Sequence, residues 1–130
     1  MAWEIIEKSS LGGWQKGAWS EVPCISITRS SITVNAKFAE VWLRGKTHML
    51  VCIDVEGRRL GFKPLERGQE SPDAFTIQRP RSREDRLASC SIACKKPARV
   101  FADLVGKRFR AFMNRPESII EVDLSPRNFA

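Results

Sequence analysis

The sequence predicts an α+β fold, a small body with approximate two-fold symmetry assembled from two strand-helix-hairpin repeats. Three observations lead there. Cys24-Ile25-Ser26-Ile27-Thr28 alternates apolar and polar residues as a half-buried strand does, and Met49 to Val55 reads as a well-buried strand. Short helical runs follow strands twice, at Phe38, Val41 and Trp42 and again at Val100, Phe101, Leu104 and Val105. The order of elements after Ser31 then recurs after Ser91, with Gly45 near Gly106 and hairpin on hairpin. Identities between the halves are few, so the repeat rests on order and spacing. A duplicated unit of this kind imitates a homodimer within one chain.

A chain of 130 residues with 42% apolar content can build a core as a single domain, 1–130. Residues 1–23 form an N-terminal cover segment, 24–65 the first repeat, 66–88 a connector and 89–124 the second repeat. The cover segment opens with strand-like Trp3-Glu4-Ile5-Ile6, and its glycines (Gly12, Gly13, Gly17) argue for loop. Trp3, Trp14 and Trp19 show no clear period there. They suit a lid over the core, with a stacking surface as the other reading. In the first repeat, Ile32-Thr33-Val34 leads to Asn35, whose side chain suits a helix N-cap, and Gly45 suits the C-terminal stop. Glu56-Gly57-Arg58 makes a tight turn, and Arg59 to Lys63 returns as the hairpin partner before Pro64. The connector holds one short strand, Ala74 to Ile77. In the second repeat Ser89 to Ala93 is a strand, Pro97 suits a first helical turn, and Gly106 ends the helix. Phe109 to Phe112 and Ile119 to Leu124 form the second hairpin around Asn114 to Glu117.

No apolar run approaches the roughly 20 residues that a membrane span needs, and the N-terminus carries acids where a signal peptide has bases. Cys24, Cys52, Cys90 and Cys94 sit in apolar surroundings, as reduced core thiols do, which points to a cytoplasmic protein with no membrane partner.

The formal charge of +7 is concentrated. Residues 79–110 hold ten bases and three acids and so carry all of it, while the other 98 residues are neutral overall. Such a field attracts polyanions by releasing their counterions. The contacts expected from it are Arg79, Arg81, Arg83 and Arg86 on the connector and Lys95, Lys96 and Arg99 at the second helix. Most of these would meet phosphates, which position a protein without reading sequence. A solvated, solubilising face is the plainer reading of the same charge.

The stretch from Ile32 to Pro64 resembles the swapped-hairpin unit of the AbrB/SpoVT family of bacterial DNA-binding proteins. The resemblance lies in Ile32-Thr33-Val34, the helix Ala36 to Arg44 and the hairpin tip Glu56-Gly57-Arg58. Residues 91–124 look like a looser second copy, and a tandem pair is similar to the layout of MraZ proteins. The resemblance implies a β-barrel-like body of two interlocked hairpins with a DNA-binding surface of arginines. Asn35 stands where the family opens its helix with proline, and Ala39 where it commonly has arginine. None of the family's contact arginines has a counterpart by position, so none is carried over.

Little else in the sequence suggests chemistry. His48 is the one histidine, and no nucleophile motif accompanies it, so no catalytic residue is assigned. Cys90 and Cys94 form a C-x3-C pair, looser than the paired spacings of structural zinc, and being four apart on a strand they share one face. Core packing explains them without metal, and no cofactor is expected. The expectation is a nucleic-acid-binding protein, DNA ahead of RNA, in the manner of a transcription regulator. The alternative is a non-catalytic protein-interaction module, antitoxin-like or phage-encoded, and a homo-oligomer is left open.

Overall fold

The computed structural model describes residues 21–79 and 89–130. Trp3, Trp14 and Trp19 with their cover segment, and Arg81, Arg83 and Arg86, lie outside the described residues. Within them, nine strands form two antiparallel sheets. The four-stranded sheet contains β1 (Cys24–Ile27), β2 (Ile32–Val34), β6 (Cys90–Ile92) and β7 (Arg108–Arg110), in the order β6-β2-β1-β7. The five-stranded sheet contains β3 (His48–Asp54), β4 (Arg59–Pro64), β5 (Phe75–Thr76), β8 (Phe112–Asn114) and β9 (Ile119–Asp123), in the order β5-β3-β4-β9-β8. Two short helices, α1 (Ala36–Trp42) and α2 (Lys96–Val100), complete the α+β pattern. No helix among the described residues is long and apolar enough to cross a membrane.

One core joins the sheets. Ile25, Ile27, Val34 and Ile92 from the first sheet pack in the same apolar cluster as Leu60, Phe62, Ile120 and Val122 from the second. The alternation along each strand supplies this, since residues two apart share a face. Phe38 of α1 bridges toward the second sheet by edge-to-face contact with Phe62, centroids 5.8 Å apart, and stacks edge-on with Trp42 at 4.9 Å. Phe38, Phe62 and Phe109 are fully buried, each worth about 1.5–3 kcal/mol in apolar transfer.

Asn35 starts α1 as its pattern predicts. Its Oδ1 accepts from the amides of Phe38 (2.9 Å) and Cys24 (3.0 Å), while Nδ2 donates to the Val22 carbonyl (2.7 Å). The cap therefore also fastens the helix start to β1. The buried stripe of α1 differs from the predicted one: Phe38, Ala39 and Leu43 are buried, and Val41 is 48% exposed. Four-residue steps from Phe38 and Ala39 reach Trp42 and Leu43, so Val41 faces away from the sheets.

The two hairpins turn alike. Asp54 Oδ1 accepts from the Gly57 amide (2.9 Å), and Asn114 Oδ1 accepts from the Glu117 amide (3.3 Å). Each four-residue turn ends on a residue of positive φ, Arg58 at 50° and Ser118 at 51°. The return strands β4 and β9 lie side by side, antiparallel, with Gly61 opposite Glu121. Likewise β2 and β6 are antiparallel neighbours, with Thr33 opposite Ser91.

Several expectations need correction. The sheets do not close into a barrel. Closure requires edge strands to find one another, but the outer side of β7 meets the C-terminal residues, where the Ala130 amide donates to the Arg108 carbonyl (2.9 Å) and Phe109 bridges to Phe129. The predicted strand Phe109 to Phe112 is divided at Ala111, whose amide donates to the Pro23 carbonyl (2.9 Å), so β7 and β8 belong to different sheets. Strand β3 is only half-buried and Cys52 is exposed, because that face of the second sheet has no layer of described residues over it. Cys94 lies beyond the end of β6, so Cys90 and Cys94 do not share a strand face, although both are buried. In α2 the predicted stripe loses Val100, which is 37% exposed.

Candidate nucleic-acid interface

Helix α2 carries a proline in its first turn, and its inner side is Pro97 and Ala98, both buried. Lys95, Lys96 and Arg99 consequently project to solvent. Phe101 and Leu104, in the turn after α2, anchor that presentation in the core. Between residues 89 and 110 there are six bases (Lys95, Lys96, Arg99, Lys107, Arg108, Arg110) and one acid, Asp103. That acid is ion-paired at 3.3 Å with Arg58 from the tip of the first hairpin, and Arg58 also lies over the Phe101 ring, 5.2 Å from its centroid. An exposed pair of this type adds little stability. It does place a compensated acid among six bases.

Arg79 sits differently from the other predicted contacts. Its Nη2 donates to the carbonyls of Leu43 (2.8 Å) and Lys46 (2.6 Å), and its Nη1 reaches Cys90 Sγ at 3.4 Å. The guanidinium thus links the end of α1 to β6. Beside it, Gln78 and Ser91 exchange backbone hydrogen bonds, Gln78 N to Ser91 O at 2.8 Å and Ser91 N to Gln78 O at 2.9 Å. This reciprocal pair closes a neck from which the chain between residues 79 and 90 departs. Arg79 therefore fastens the base of the segment that carries Arg81, Arg83 and Arg86.

The outward face of the four-stranded sheet adds residues that the sequence reading did not single out. Ser91, Thr33, Ser26 and Arg108 are consecutive cross-strand neighbours on β6, β2, β1 and β7. They make a half-buried row of three hydroxyls ending on a guanidinium. An open cleft at the β6 end of the row is lined by Thr33, Gln78, Arg79, Ser89, Cys90 and Ser91. Alternation in each strand marks these positions as outward-facing, but only the register brings them into one line.

The other chemical candidates fall elsewhere. His48 is exposed at the start of β3, with Nδ1 2.9 Å from the Thr47 hydroxyl. Glu70 and Ser71 line the same shallow hollow as His48, but Ser71 Oγ accepts from the Asp73 amide at 3.2 Å, and no hydrogen bond among the described residues joins it to His48. On the outward face of the five-stranded sheet, Arg59 binds Asp54 (2.8 Å) and Glu121 (3.0 Å), and Asn114 donates to the same Glu121 oxygen (3.0 Å). The Gly57 amide, then Arg59, holds the Asp54 carboxyl below its usual range. Burial pushes the Cys24 thiol up to about 11, against the opposing pull of Arg110 and Arg108. Burial likewise raises Cys90 and Cys94. Among the described residues no group of three or more His, Cys, Asp or Glu side chains is gathered to hold a metal.

No protein-family model, curated protein or solved structure matches the chain.

Proposed function

We propose that the protein binds nucleic acid without catalysing a reaction, using Lys95, Lys96 and Arg99 of α2 together with Arg81, Arg83 and Arg86 of the connector, and Arg79 at its neck as a fastening. The observation that carries this reading is the charge balance around α2. Six bases lie between residues 89 and 110, and their one acid, Asp103, is already paired with Arg58 from another hairpin. The remaining positive field favours a polyanion whose condensed counterions it can release. DNA is the first partner to test, a transcription regulator in a reducing cytoplasm the role it suits, and RNA the second candidate.

The reading extends to the architecture. A swapped-hairpin pair of the AbrB/SpoVT kind, duplicated in one chain, would place equivalent strands side by side and antiparallel about an approximate two-fold axis. The β2–β6 and β4–β9 pairings support it, as do the matching turns that end on Arg58 and Ser118. Gly45 and Gly106, at φ 70° and 87°, follow the helical turns of both halves.

Fluorescence anisotropy against a labelled random duplex and a single strand, over a salt series, tests the function. Binding should weaken steeply as salt rises, and replacing Lys95, Lys96 and Arg99 by Glu should lower the salt slope by about one per base removed, or more. Unchanged affinity in that triple variant and in one with Arg81, Arg83 and Arg86 replaced by Glu would refute the assignment.

A protein-interaction module is the second reading, favoured by one specific feature. Edge strand β8 exposes Phe112 (48%) and Met113 (38%), large apolar side chains at the margin of a sheet. Stoichiometric recovery of one protein after nuclease treatment, lost on changing Phe112 and Met113 to Ser, would favour it.

A further inference from the structure

We propose that the cleft at the neck of the connector, lined by Thr33, Gln78, Arg79, Ser89 and Ser91, is a phosphate-binding site; as the seat of a nucleic-acid phosphodiester it rests on the function proposed above. Cys90 also lines it, its Sγ accepting one Arg79 N–H, and the donors it offers are the hydroxyls of Thr33 and Ser89, the side-chain amide of Gln78 and the guanidinium of Arg79. No carboxylate of the described residues lines it.

The donors are also held in place, which lowers the entropy lost on binding. Thr33 and Ser91 are directly opposed on β2 and β6, and the backbone exchange between Gln78 and Ser91 fixes the third side of the cleft. Ser91 Oγ donates to Gln78 Oε1 at 3.4 Å, which commits its one hydroxyl hydrogen and leaves the Gln78 amide N–H groups available as donors, so Ser91 serves the site by orienting Gln78. Arg79 is the cation of the site. Three of the five N–H groups of a guanidinium go to Leu43 O, Lys46 O and Cys90 Sγ, which leaves two for a ligand on a side chain that is already immobilised. A fixed guanidinium with converging hydroxyls suits tetrahedral, multiply charged oxygen better than a planar carboxylate alone, and charge-assisted hydrogen bonds of this kind are the strong ones. The opposite chemistry occupies the hollow on the outward face of the five-stranded sheet. Asp54, Glu117 and Glu121 line it with a single arginine, Arg59, so it serves as an internal control.

The phosphate has two sources, a polynucleotide backbone or a small phosphorylated molecule, and one titration separates them. Backbone amide spectra of the full chain are followed at low salt while pyrophosphate, and separately a twelve-nucleotide thymidine strand and a random duplex, are added. The expected result is saturable movement of the Thr33, Gln78 and Ser91 amides with pyrophosphate and with an oligonucleotide, while Gly61 and Glu121 stay still. The double variant Thr33→Val, Ser91→Ala leaves Arg79 and its bonds untouched. It should weaken both ligands about ten-fold, with spectral dispersion and melting unchanged. Pyrophosphate binding at these residues without oligonucleotide binding would support the site, assign it to a small phosphorylated ligand, and sink the nucleic-acid reading alone. Oligonucleotide binding that leaves these amides still, or that the double variant does not weaken, would overturn the site and spare that reading. Absence of any movement at these residues with pyrophosphate and oligonucleotides also overturns it.

Discussion

The guanidinium of Arg79 donates to the carbonyl of Leu43, at 2.8 Å, and so ties the segment after β5 to the residue that ends α1. A lysine can satisfy one such carbonyl but cannot reproduce the fork that also reaches Lys46 O and Cys90 Sγ. Arg79 is thereby a strut as well as a charge.

Replacing Arg79 with Ala should destabilise the fold by about 1–3 kcal/mol, since the part-buried Leu43 carbonyl loses a charged donor. Arg79→Lys should recover less than half of that. Urea unfolding followed by tryptophan fluorescence measures both. Equal stability of wild type and Arg79→Ala would show that the strut carries nothing.

Asn35 should be among the least replaceable polar residues. It is 1% exposed, and among the described residues its side chain bonds the amides of Phe38 and Cys24 and the carbonyl of Val22. Asn35→Ala should cost about 2–4 kcal/mol, a lost cap together with stranded buried groups. Asn35→Asp keeps the acceptor and loses the donor, so at neutral pH it should fall between wild type and Ala. The same denaturation curves rank the three proteins.

Gly61 lies beneath the side chain of Ile119, whose Cδ1 occupies the space a Cβ would take. The obstruction is the far end of a flexible chain, so Gly61→Ala should cost only about 1 kcal/mol. Cutting Ile119 back to Ala should remove that penalty. A double-mutant cycle is the measurement, and strict additivity would contradict the contact.

Thiol chemistry should divide the cysteines. Cys52 is exposed, whereas Cys24, Cys90 and Cys94 are buried, and burial raises all three of those thiols. A chromogenic disulfide reagent should modify one thiol quickly in the native protein and all four after denaturation, and Cys52→Ser should abolish the fast phase.

The same burial gives stability a pH dependence. The folded state keeps the Cys24 proton to about 11, against an ordinary value of 9.0, so above the latter the unfolded chain binds fewer protons than the folded one. Stability should therefore fall as pH rises from about 9.0 toward about 11. Cys24→Ala should flatten that part of the profile, read as midpoint denaturant concentration against pH.

The strands β1 to β4, the Asn35 cap and the tight turn at Glu56-Gly57-Arg58 were legible in the sequence, because each depends on neighbours within a few residues. Alternation, capping and turn chemistry act at that range. The concentration of charge was legible too, being a matter of composition. Tertiary pairing decided the rest. Phe109 to Phe112 reads as one strand, and only the pairing of β7 with β1 and of β8 with β9 divides it between two sheets at Ala111. Cys52 has the apolar neighbours of a core residue, yet it belongs to a face that no described layer covers. Arg79 looks like its neighbours in the basic run until the carbonyls of Leu43 and Lys46 come within reach. Local pattern chooses the kind of element and the side it shows, since those follow from backbone period. Which elements meet, and hence which arginine is a strut and which hydroxyls share a cleft, follows from contacts between residues far apart in the chain, whose register no local period specifies.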